Sequence, residues 1–98
     1  MRLRASWMKP KDDPLLEWVC RDGNMTPTAV SREGAVSRVD CSADYAGVRL
    51  RELAKRGLVD RIDIGLYGIS DDGRGYLTGE VDASQLEERE FDEAFVEQ

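Results

Sequence analysis

Ninety-eight residues, 41% of them hydrophobic and 35% charged, describe one small globular domain rather than a disordered or membrane chain. The absence of histidine excludes Ser-His-Asp and Cys-His catalysis, His-ligated metals and an imidazole pH switch. The net charge of −6 argues at first sight against nucleic acid as a partner.

Residues 1–11 carry Arg2, Arg4, Lys9 and Lys11 without a single acid, mixed with Trp7 and Met8. They read as a loose basic arm, or as a segment docked on the body through Trp7. A first helix is signalled from Asp12, with Asp13 as cap, Pro14 at the first helical position and acids at the positive end of the dipole. Leu15, Leu16, Trp18 and Val19 supply its buried face, and Gly23-Asn24 stops it.

Thr26 caps a second start at Pro27. The stretch to Val39 reads either as one helix interrupted by Gly34 or as a short lead-in followed by a helix near 31–39. Ala35, Val36 and Val39 have the spacing of one helical face. Asp40-Cys41-Ser42 then makes a turn. Ser42 caps a third helix from Ala43 to Arg56, ended by Gly57, with Ala46, Leu50 and Leu53 as its inward stripe.

After Gly57 the apolar period changes from about 3.6 to about 2. Leu58 to Ile64 alternates as a strand, Gly65 makes a tight turn, and Leu66 to Ser70 is the partner in a small hairpin. A fourth helix opens with Ser70 or Asp71 as cap, runs through Leu77 and breaks at Gly79. Ala83 to Val96 has the pattern of a weak helix.

The charge is unevenly spread. Residues 80–98 hold eight acids and one base, Arg89, while residues 1–79 are close to neutral. The bases are eleven Arg against three Lys. This balance points to a salt-adapted cytoplasm, in which carboxylates keep a surface hydrated once charge repulsion is screened. No apolar run approaches the roughly 18 residues of a membrane span, and the start lacks the apolar region of a signal peptide. A cytoplasmic chain that does not meet a membrane is expected. Cys20 and Cys41 form no CxxC pair and read as reduced thiols, with one disulfide as the alternative.

The order helix, helix, helix, strand, strand, helix is the winged helix-turn-helix layout. Ala35-Val36-x-x-Val39-Asp40-Cys41-Ser42 resembles the second helix, turn and cap of prokaryotic winged-helix regulators. Leu50 to Val59 is similar to their third helix running into the hairpin. Tyr67 to Leu77 resembles their step from wing strand to following helix, Y-x-I-T-x-x-G-x-x-Y-L. The chain resembles most closely the haloarchaeal phage phi-H repressor-like group, from about Trp7 to about Leu86. Two departures stand out: a longer segment Thr28–Gly34, and a wing tip, Asp63-Ile64-Gly65-Leu66, without Lys or Arg.

The resemblance implies a mainly α fold with a small β-hairpin: a three-helix core, a two-stranded wing and a C-terminal helix. It divides the chain into a basic arm (1–11), a winged-helix DNA-binding domain (12–79) and an acidic C-terminal helix or tail (80–98). It implies sequence-specific binding of double-stranded DNA as a homodimer, most simply as a repressor on a palindromic operator. Residues at the start of a recognition helix face base edges in the major groove. Here these are Ser42, Ala43, Asp44, Tyr45, Val48 and Arg49. Arg49 is expected to read guanine, Ser42 and Tyr45 to bond phosphate or base, and Val48 to meet a thymine methyl. Arg38, Arg51, Lys55 and Arg56 are the phosphate candidates, and Ile64, Gly65 and Leu66 form the wing. Trp7, Leu86, Phe91 and Phe95 are the dimer candidates.

Nothing points to a cofactor or metal. Asp71-Asp72-Gly73 lacks the later ligands of an EF-hand, and the glycines at 65, 68, 73 and 75 lack the GK[ST] ending of a phosphate loop. No nucleophile–base pair signals an enzyme. The competing reading is a winged-helix protein-interaction module without DNA binding, favoured by the net charge, the base-free wing tip and Asp44.

Overall fold

A computed structural model describes residues 1–88 of the chain. Helix α1 spans Asp12–Asp22, and Leu15, Leu16 and Val19 on its inner face are fully buried. Asp13 does not cap it, contrary to expectation. Lys11 holds that position without a side-chain bond, while the carboxylate of Asp12 takes the Lys9 N–H at 3.0 Å. Asp13 lies inside the first turn and accepts the Tyr76 hydroxyl at 2.7 Å and the Arg4 guanidinium at 2.7 Å. Gly23 ends the helix.

Helix α2 is a single turn, Pro27–Val30, capped by Thr26 through the Ala29 N–H at 3.1 Å. Neither helical reading of the segment to Val39 forms. At Ser31 the backbone turns extended, and its fully buried hydroxyl donates to the Thr28 carbonyl and accepts the Glu33 N–H. A short polar side chain that bonds its own backbone offers the chain an exit from the helix. Backbone pairing then replaces helical bonds: Val39 N–H meets the Val30 carbonyl at 2.9 Å, and Arg32 N–H meets that of Cys41 at 3.0 Å. Gly34 is not a helix interruption. It lies so close to the end of α2 that a Cβ there would sit 2.7 Å from the Ala29 carbonyl oxygen. Val36 consequently points to solvent, while Val39 is buried.

Helix α3, Ala43–Lys55, starts as expected at Ser42, whose hydroxyl accepts the Tyr45 N–H at 3.1 Å. Ala46, Leu50 and Leu53 are fully buried and press α3 onto α1 and α2. The strands β1 (Val59–Asp63) and β2 (Leu66–Ile69) pair antiparallel, with Val59 opposite Ile69 and Asp63 opposite Leu66. An irregularity between Arg61 and Asp63 leaves Ile62 without a partner across the ladder. Gly65, at φ 66°, makes the turn that a residue with a Cβ rarely adopts. Met25, ahead of α2, exchanges both backbone bonds with Tyr67 and holds the hairpin against the helices.

Ser70 caps α4 (Asp71–Thr78) through the Gly73 N–H at 2.9 Å and also donates to the Gly57 carbonyl. Gly79 ends that helix, and Ala83–Gln85 form one 3₁₀ turn. The N-terminal segment is docked rather than loose. Met8 is buried, Arg2 bonds the Leu77 carbonyl and Glu17, and Leu3 bridges to Asp82. Both cysteines are free thiols. Among the described residues the result is a winged helix-turn-helix domain of four helices and a two-stranded antiparallel hairpin.

Candidate nucleic-acid interface

The buried stripe of α3 leaves its opposite face in solvent. With about 100° between successive residues, Asp44, Tyr45, Val48 and Arg51 fall on that outer side. All four are exposed, Tyr45 by 38% and Val48 by 51%, while Ser42 and Ala43 are half-buried at its start. A phenol with a hydroxyl at its tip and a branched apolar side chain can contact base edges and a thymine methyl without any net charge.

Arg49 departs from the expected outward orientation. It is only 8% exposed, and its guanidinium lies across α1 instead of on the outer face. Nε and Nη2 each reach the Asp12 carboxylate at 2.8 Å, and Nη2 also approaches the Trp7 carbonyl at 3.4 Å. These hydrogen bonds raise the guanidinium further above its ordinary value, so the charge is permanent and neutralised internally. A fork spent on a fully buried carboxylate is not available to guanine.

Arg38 and Arg56, both phosphate candidates, have internal partners of the same kind. Arg38 bonds Asp22 at 3.0 Å and the Ala29 carbonyl at 2.9 Å, and lies over the Trp18 ring. Arg56 lies 4.9 Å from the Trp7 ring centre and reaches the Leu86 carbonyl and Glu88. Lys55 faces Glu52 at 3.5 Å on the same helix, and Arg51 is exposed. The α2–α3 connection carries further exposed residues. Arg32 is exposed beside Asp40, and Val36 is 57% exposed. Helical spacing had placed Val36 on one face with Ala35 and Val39, and Val39 alone of the three is buried.

Carboxylates gather at the start of α3. Glu33 accepts the Ala43 N–H at 2.7 Å, and Asp44 lies in the first turn, where the helix dipole favours it. The wing is apolar at its tip. Ile64 is 60% exposed, Ile62 is 51% exposed, Gly65 and Leu66 are half-buried, and Asp63 accepts the Ile64 N–H. Of the dimer candidates, Trp7 and Leu86 are half-buried against the core; Phe91 and Phe95 lie outside the described residues. Among the described residues there is no group of three His, Cys, Asp or Glu placed to hold a metal, and no helix is long and apolar enough to cross a membrane.

The arrangement has known counterparts. No curated protein matches the chain. Among solved structures, the crystal structure of the PhiH1 repressor-like protein from Haloarcula marismortui matches with a TM-score of 0.80 and 32% sequence identity. The match covers 90% of this chain and 97% of that one. The family model of the winged helix-turn-helix phage repressor matches residues 1–89. These findings support a DNA-binding regulator, and the chain belongs to the winged helix-turn-helix phage repressor family.

Proposed function

We propose that this chain reads double-stranded DNA with the outer face of α3 and represses transcription as a homodimer on a palindromic operator. The observation that carries the reading is the exposure of Asp44, Tyr45, Val48 and Arg51 on the helix that follows α2 and Ser42. Tyr45 and Val48 contact bases, Ser42 and Ala43 set the start of the helix against the groove, and Arg51 and Lys55 meet phosphates. Arg49, Arg38 and Arg56 are released from those roles by their internal partners. A two-fold dimer sets half-sites about one helical turn apart. The protein acts in the cytoplasm, needs no cofactor and performs no catalysis.

The charge pattern supports a mode of binding that depends little on salt. Few Lys and Arg are exposed on the α3 side, so few counterions are released, and base contacts and dimer avidity supply most of the affinity. Selection from a random duplex library in molar salt tests the reading. Enrichment of a two-fold symmetric sequence, with a shallow dependence of affinity on salt, supports it; a steep loss of affinity with salt counts against it.

One observation favours a second reading, a protein-interaction module on the same scaffold. Glu33, Asp40 and Asp44 surround the start of α3, where DNA would approach. A chain that binds no duplex at any salt and captures a protein partner through α3 would establish that reading instead.

A further inference from the structure

We propose that Arg49 is a positioning residue, paired with Asp12 to fix the rotation of α3 on α1 and so to decide which side chains face DNA. The inference rests on the reading of α3 as the helix that meets DNA. Asp12 is fully buried at the first turn of α1, and Arg49 is 8% exposed in the middle of α3. Their contact is bidentate, at 2.8 Å through each of Nε and Nη2. The carboxylate is itself aimed by the Lys9 N–H at 3.0 Å, and the guanidinium by the Trp7 carbonyl at 3.4 Å.

The apolar stripe of α3 sets its depth more firmly than its rotation. Ala46 has one methyl to offer, and Leu50 and Leu53 pack without direction. An Arg–carboxylate fork, by contrast, accepts one planar geometry. A buried pair of this kind adds little net stability over an apolar pair, and a directional role is what it can supply instead. The leverage is large. At a helix radius near 5 Å, a rotation of about 20° carries an outer side chain by roughly 2 Å. That displacement breaks a hydrogen bond to a base edge. Tyr45 and Val48 flank Arg49 on the outward side and move with it.

The Asp12→Leu/Arg49→Met double variant removes both charges and keeps the volume. Residual dipolar couplings of α3 amides against α1 report the rotation without DNA. Binding to a selected duplex and to a scrambled duplex of equal length reports the consequence. The variant is expected to fold, with an unfolding midpoint within about 8 °C of wild type or above it. Its α3 couplings fit a rotated or averaged orientation, and the preference for the selected duplex falls by about tenfold or more with scrambled-duplex affinity unchanged. Unchanged couplings overturn the proposal, as does a changed orientation with undiminished preference. Shifted couplings in a protein whose wild type prefers no duplex uphold the positioning role and remove the DNA reading.

Discussion

The carboxylate of Glu33 accepts the backbone N–H of Ala43 at 2.7 Å, so the connection that follows α2 caps the first turn of α3. Ser42 caps the same turn through Tyr45 N–H, and the two acceptors together satisfy donors that a phosphate would otherwise meet. Glu33→Ala should lower stability by about 0.5–1 kcal/mol, because Ser42 remains in place. The same variant should bind duplex more tightly at low salt, since a carboxylate leaves the approach to the groove. Chemical denaturation and duplex titration on one preparation check both; weaker duplex binding with unchanged stability contradicts the assignment.

Removing only one member of the buried pair has a different consequence. Arg49→Ala leaves the Asp12 carboxylate enclosed with the Lys9 N–H alone. Breaking such a pair costs about 3–5 kcal/mol, a large share of the roughly 5–15 kcal/mol that holds a domain of this size. Urea unfolding should show the loss. A variant within 1 kcal/mol of wild type on the scale of typical surface substitutions would place Arg49 outside the core, on the outer face.

Alkaline pH should weaken the fold. Burial, and then the hydrogen bond to Asp13, holds the Tyr76 phenol above its ordinary value of 10. Burial likewise raises the Cys41 thiol above 9.0. Folding favours the neutral form of both groups, and the unfolded chain gives up these protons first. Their contribution is therefore complete below about pH 8 and declines as pH rises through the unfolded values, about 9 for the thiol and about 10 for the phenol. Tyr76→Phe removes one hydrogen bond, lowering stability near pH 7 by about 1 kcal/mol, and flattens the alkaline decline. Urea midpoints measured from pH 7 to 11 read both effects; an undiminished alkaline slope in the variant would refute the role of Tyr76.

The caps at Thr26, Ser42 and Ser70 and the glycine stops were legible because their chemistry is local: each side chain bonds an N–H three residues ahead. The hairpin was legible for the same reason, through its period and Gly65. The connection between α2 and α3 was not. Its course depends on Val30 pairing with Val39 and Arg32 with Cys41, contacts that compete with a plausible helical pattern. Asp12 and Asp13 stand side by side, and only their distant partners, Arg49 and Tyr76, give them separate roles. Arg49 lies about 60° around the helix from Ala46, at the border of the buried stripe. A charged residue there reads as exposed until its partner, 37 positions away in sequence, is known. The outer face of α3 thus emerged from sequence with one member misplaced, while the exposure of Val36 and the Glu33 cap emerged only from the fold.

On the proposed function, Tyr45 and Val48 read base edges from the outer face of α3. Parallel selections from one random duplex library, with wild type and with Tyr45→Ala/Val48→Ala, test it most directly. Both side chains are exposed, so the double variant should keep a wild-type unfolding midpoint. Wild type should enrich one two-fold symmetric sequence, and the folded double variant should enrich none. Enrichment of the same sequence by the double variant, at equal affinity, would contradict it.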